Sequence, residues 1–250
     1  MLESTGRTIM QETMKADRRN FLATASAAGL VAATSTASDA NAAEGVAPLP
    51  PLAFQGNDVL RPLPFDPAKL PGLSEKMLRS HWENNYGGSV KALAAIKKRL
   101  AQAQGDKDMQ PYVYNDLKRE HLVRTGSVVL HEFYFENLGG NGKAGSKERA
   151  RLSEAFGSYD AWEAEFRRIA AGLGGGSGWV MLGLNEHSRQ LENYWMADHA
   201  IAPAATRPIL VMDMYEHSYQ MDYGAAAAQY IDAFFQNIQW DAVAKRLESV

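Results

Sequence analysis

The chain has 250 residues, 46% of them hydrophobic, with a formal net charge of −3, which is enough apolar material for one large core or two smaller ones. No basic stripe points to nucleic acid. The lack of cysteine excludes disulfide scaffolds, thiolate metal sites, iron–sulfur clusters and cysteine nucleophiles, so a metal would have to be held by His, Asp, Glu and water.

Residues 1–42 read as a secretory leader. Arg18-Arg19-Asn-Phe-Leu22 opens an Ala/Gly/Leu/Val-rich run that passes into a Ser/Thr/Ala stretch ending Ala40-Asn-Ala42. Charged, apolar and small-residue parts follow in the order of an export signal. Paired arginines followed by x-Phe-Leu match the twin-arginine type, which implies a periplasmic destination. The apolar run is too short for a comfortable membrane span, and no membrane association is expected after cleavage near Ala42. The competing reading is a disordered tail with a chance Arg-Arg pair. Residues 43–72 carry seven prolines and little periodicity, an extended arm.

Ser74-Glu-Lys-Met reads as an N-cap opening a helix over 74–104, with Gly105 as its stop. Met77, Leu78, His81, Trp82 and Asn85 recur at three- and four-residue spacings and share one side. Gly87-Gly88 is expected to weaken or kink this helix. A second helix over 121–138 is apolar nearly all round and therefore expected to be buried, with His131 in its middle. A loop over 139–145 and a helix over 158–171 follow. Residues 179–184 and 190–196 read as two strands around a turn. Ile209 to Met212 reads as a third, short strand bounded by Pro208. Helices are expected over 225–235 and 241–248.

That order argues for an α+β fold. An N-terminal α-helical hairpin domain over 73–140 precedes an α/β C-terminal domain over 147–250, which carries a three-stranded antiparallel sheet and flanking helices. Asp213 falls where the third strand ends, and His217 follows four positions later, so a carboxylate and an imidazole can converge on one point as ligands for a first-row metal. A buried His131 needs partners for both ring nitrogens.

Asp213-Met-Tyr-Glu-His-Ser-Tyr219 resembles the Asp-x-Trp-Glu-His-Ala-Tyr signature of the iron/manganese superoxide dismutases. Leu63-Pro-Phe-Asp-Pro-Ala-Lys-Leu70, the Phe-Tyr-Phe-Glu-Asn-Leu run after His131, Gly176-Ser-Gly-Trp-Val-Met-Leu182 and the closing stretch from Tyr230 to Leu247 are similar to other motifs of that family. The resemblance covers about three quarters of the chain. It implies one Fe or Mn ion per chain, held by His81, His131, Asp213 and His217, and a disproportionation of superoxide to O2 and H2O2 by one-electron cycling. The nitrogen-rich ligand set suits either metal. The resemblance further implies that His199 takes the place of an amide that donates to solvent at the metal, and that Trp179 walls the site. It also implies a homodimer in which Glu216 of each copy bonds the other copy's His217.

The first helix departs from the family. Asn85 stands where a second His is usual and Ser89 where a gateway Tyr is usual, which leaves Tyr86 as the candidate gateway residue. Asn84 and Ala227 replace two cations that commonly flank the entrance, a loss expected to weaken steering of an anion. A family Tyr that meets the second His across the interface is here Gln220, so Asn85 and Gln220 form a candidate amide pair between copies. The alternative to an enzyme is a non-enzymatic, metal-stabilised binding module that has lost its gateway. A metal-dependent oxygenase or peroxidase is a third reading.

Overall fold

Ser74 caps the first helix as its sequence suggests, its hydroxyl accepting from the Met77 N–H at 3.1 Å. These relations come from a computed structural model describing residues 49–56 and 58–248; the leader expected over 1–42 lies outside the described residues. From Ser74 the chain runs through α1 (Glu75–Ser80), a wide π-helical turn (His81–Tyr86) and α2 (Gly87–Ala103). The irregularity therefore falls one turn before the Gly87-Gly88 pair, at the His itself. The N–H of Gly87 bonds the carbonyl of Trp82, five residues back, and such wide turns gather at functional sites.

The second helix, α3 (Pro111–Glu136), begins ten residues earlier than the apolar pattern suggests, with Pro at its first turn. It is not buried all round: Leu122 and Val129 are exposed, whereas Val128, Leu130, Tyr134 and Phe135 are buried. α4 (Ser146–Phe156), unforeseen from sequence, and α5 (Tyr159–Leu173) lead into the sheet.

β1 (Trp179–Asn185) is the central strand, flanked antiparallel by β2 (Gln190–Met196) and β3 (Thr206–Asp213). Pro208 does not bound β3 but lies within it, opposite Gly183, where the register with β1 shifts. β3 is an edge strand, the place where a residue without an N–H is tolerated. After a short 3-10 turn (Glu216–Ser218) and α6 (Gln220–Tyr223), α7 (Ala227–Gln236) and α8 (Trp240–Glu248) close the chain.

One continuous core joins these layers: Trp162 meets Trp240, and Phe166 meets Phe235, edge to face among α5, α7 and α8. Two polar ties fix α3 against β3. Asn137 donates to the Val211 carbonyl at 2.8 Å. Arg246 of α8 donates to Asn137 Oδ1 at 2.6 Å and to the Ile209 carbonyl at 2.9 Å. They hold the helix bearing His131 in fixed relation to the strand bearing Asp213. Among the described residues no helix is long and apolar enough to cross a membrane.

Candidate metal centre

Four side chains from separate segments meet between α1–α3 and the end of β3. His81 opens the wide turn, His131 sits in α3, Asp213 ends β3, and His217 occupies the 3-10 turn that follows. One ligand atom from each lies within 4.8 Å of every other. Asp213 Oδ2 is the hub: it is 3.1 Å from His81 Nε2, 3.2 Å from His217 Nε2 and 3.6 Å from His131 Nε2. Ligands about 2.1 Å from a common ion stand roughly 3 to 4 Å apart, and the three separations from Asp213 Oδ2 fall in that range.

The turn after β3 is built to aim this group. The Tyr215 N–H donates to Asp213 Oδ1 at 2.8 Å. The Asp213 carbonyl accepts from Tyr230 at 2.7 Å and from Ser218 at 3.1 Å. In α3 the backbone carbonyl of Ser127 accepts from His131 Nδ1–H at 2.7 Å. That bond puts the proton of the neutral ring on Nδ1 and leaves the Nε2 lone pair for a metal.

His81, His131 and Asp213 are at most 1% exposed. Burial lowers the proton affinity of His81 and takes that of His131 down to about 3. Burial alone would push the Asp213 carboxyl up, but the charge and hydrogen bond of His217 and the hydrogen bond from His81 hold it well below the usual carboxylate range. Two neutral imidazoles beside a carboxylate are the protonation states a metal needs. His81 Nδ1 and His131 Nε2 are buried without a hydrogen-bond partner among the described residues, and His81 Nε2 faces only the Asp213 carboxylate. Stranding such groups costs about 1–3 kcal/mol each, and an ion at the centre of the cluster takes up the two Nε2 atoms. The residues fit a single metal ion.

A cleft of about 450 Å³ leads to this cluster. Asn85 and Ser89 line one side, Arg124 and Ser127 another, and His199 and Tyr215 a third, with His131 and His217 at its inner end. Ser89 and Ser127 share a hydroxyl–hydroxyl bond of 2.8 Å. Trp179, fully buried, meets the His131 ring edge-on at 5.1 Å between centroids. Its place follows from sheet register, because Trp179 is paired with Asp213 across β1 and β3.

Tyr86 is not brought into the cleft. Its hydroxyl donates to Glu132 at 3.0 Å and accepts from the Arg61 N–H, on a separate pocket lined by Arg61, Trp82 and Phe135. Glu216 and Gln220 are exposed, and Asn85 is half-buried. Sequence reasoning missed Ser127 and Arg124. Four and seven residues before His131, they share its helix face, and that spacing was the available signal.

A helical hairpin packed on a small antiparallel sheet, with three imidazoles and one carboxylate converging between them, defines a mononuclear transition-metal protein. Residues 144–246 match the family described as iron/manganese superoxide dismutases, C-terminal domain. The chain is 50% identical over 188 residues to an Fe superoxide dismutase of Cupriavidus metallidurans, an alignment covering 75% of this chain and 94% of that one. It is 36% identical over 189 residues to an Fe superoxide dismutase of Aquifex aeolicus, covering 73% and 87%. A Mn superoxide dismutase of Haloarcula marismortui is 32% identical over 202 residues, covering 79% and 97%. The chain belongs to the iron/manganese superoxide dismutase family.

Proposed function

We propose that this protein disproportionates superoxide, using one Fe or Mn ion held by His81, His131, Asp213 and His217. The observation that carries the reading is the approach of four ligand atoms to within 4.8 Å in a largely buried cluster. Family membership and the intact ligand set together disfavour a binding module without activity. Relatives named for Fe and for Mn, and a ligand set that suits both, leave the ion as one or the other.

The ion, when bound, supplies a one-electron couple: one superoxide gives up an electron to leave as O2, and a second takes that electron with two protons to leave as H2O2. The protein's own groups do the rest. The Ser127 carbonyl fixes the His131 tautomer. The buried walls formed by Trp179 and Tyr134 exclude bulk water from the ligands. His199, whose Nδ1 accepts from Trp179, carries its ring proton on Nε2 and lines the cleft, where it can serve as a donor to solvent or substrate. Asp213→Ala is expected to abolish both stable metal binding and superoxide consumption, and a variant that kept both would overturn the ligand assignment.

The proposal extends to assembly and location. Exposed Glu216 beside half-buried His217 supports a homodimer in which each copy's Glu meets the other's His. The Arg18-Arg19 leader pattern supports twin-arginine export to the periplasm, a route that carries folded cargo and so suits a protein loaded with metal beforehand. Arg18→Lys with Arg19→Lys should retain the precursor inside the cell; normal export of the double variant would dismiss that leader.

A further inference from the structure

Eleven residues line the cleft, and ten of them are Asn, Gly, Ser, Ala, Tyr or His; the remaining one is Arg124, the single permanently charged side chain of the lining. We propose that Arg124 is the residue that draws the anionic substrate towards the ligand cluster. The inference rests on the function proposed above and adds to it the group that sets how fast the anion arrives. Asn84 and Ala227, where the family resemblance leads one to expect cations, are neutral, and the positive charge comes instead from α3.

Three features place that charge usefully. Arg124 lies seven residues before His131 on α3, two turns along the same face and about 10 Å up the helix axis. Its side chain is 36% exposed, so it sits at the mouth rather than among the ligands. Its Nε donates to Glu120 at 2.6 Å, which fixes the stem and leaves the two terminal amino groups of the guanidinium uncommitted among the described residues. Glu120 lies one turn further from His131 and is not part of the cleft lining, so the pair presents its positive end inward. A cleft with one sign of charge and low-dielectric walls concentrates an oppositely charged substrate, an effect that weakens as salt rises.

The test compares Arg124→Gln, Arg124→Glu and Arg124→Lys in the metal-loaded protein. Arg119→Glu, a charge reversal on the same helix outside the cleft, is the control. At low salt kcat/KM for superoxide should fall roughly ten-fold in Arg124→Gln and further in Arg124→Glu, the low end of the range of steering effects. Arg124→Lys should retain most of it. The decline of rate with salt should flatten in Arg124→Gln and reverse in Arg124→Glu, while metal content stays at the wild-type level. Glu120→Gln should raise the low-salt rate, a gain that a purely structural role for the ion pair does not produce. Azide binding, followed by optical titration of the loaded protein, gives a readout independent of turnover and should weaken in the same order. Arg124→Glu matching wild type in rate, salt slope and azide affinity would overturn the proposal, as would Arg119→Glu causing equal losses. Loaded wild-type protein that binds azide through Arg124 yet consumes no superoxide would overturn the dismutase reading and leave the anion-guiding role standing.

Discussion

Trp179 donates its indole N–H to Nδ1 of His199 at 3.0 Å. Indole is only a donor, so His199 must accept there, and its own proton in the neutral ring resides on Nε2. Burial favours the neutral ring. A tryptophan in the sheet thus sets which face of a cleft histidine can donate. Trp179→Phe removes the restraint, and activity per bound metal should fall about ten-fold, in the range usual for partners behind a metal site. His199→Gln, which keeps a donor, should retain more activity than His199→Ala. Equal activity in all of these variants would show that the tautomer does not matter.

Gly126 is the other support of His199. A Cβ at position 126 would run into the His199 carbonyl oxygen, so the loop carrying His199 can approach α3 only because residue 126 has no side chain. Gly126→Ala should displace that loop, destabilise the chain by about 1–3 kcal/mol as overpacking does, and lower activity per metal. Gly88, where an added Cβ meets nothing within 4 Å, is the contrast: Gly88→Ala should stabilise by about 0.5–1 kcal/mol. Urea unfolding of both variants reads the difference in sign.

The buried imidazoles give the metal-free chain a defined pH response. The proton affinity of His131 is lowered by burial from the ordinary 6.5 to about 3, and that of His81 is lowered as well. Below about pH 6.5 the unfolded chain takes up protons that the folded chain refuses, so stability contributed by these groups is present above that pH and lost as pH falls towards 3. Each group contributes about 1.4 kcal/mol per pH unit within its own window. Midpoints of urea unfolding of the metal-free protein should therefore drop steadily from pH 7 to pH 4. His131→Gln should flatten the slope, and an unchanged slope would contradict the assignment.

Much of this was legible in the sequence, for identifiable reasons. β2 is found over the residues expected, because Gln190 and its neighbours are bounded by clear turn residues. His131, Asp213 and His217 were readable because each sits in a motif with its own flanking pattern, and His81 because it shares the apolar side of the first helix with Met77 and Leu78. α4 was missed because its face is polar, with Leu152 its one buried residue, and hydrophobic periodicity carries no signal there. The wide turn at His81 was invisible because one extra residue in a helical turn leaves the apolar spacing nearly intact. Tyr86 was placed by sequence proximity, whereas its hydroxyl is claimed by Glu132 and Arg61. Arg124 lay hidden in a helix that reads as uniformly apolar, and only the packing of α2 against α3 shows that its side faces the cleft.

In the proposed homodimer, Asn85 of one copy and Gln220 of the other are candidate hydrogen-bond partners; Gln220 is exposed and Asn85 half-buried. A neutral hydrogen bond contributes about 0.5–1.5 kcal/mol, while a stranded buried amide costs about 1–3 kcal/mol. Asn85→Leu alone should therefore weaken the dimer more than Asn85→Leu with Gln220→Leu. Dissociation constants measured by sedimentation decide this, and simple additivity of the two substitutions would separate the amides.

On the proposed function, the cluster of His81, His131, Asp213 and His217 binds one redox-active ion that consumes superoxide. The most direct test is to reconstitute the purified chain with increasing Fe or Mn while measuring bound metal and superoxide consumption in the same samples. Binding should saturate at one ion per chain, with consumption rising in proportion to bound metal. A chain that fills with one ion yet consumes superoxide no faster than the metal-free protein would contradict that function.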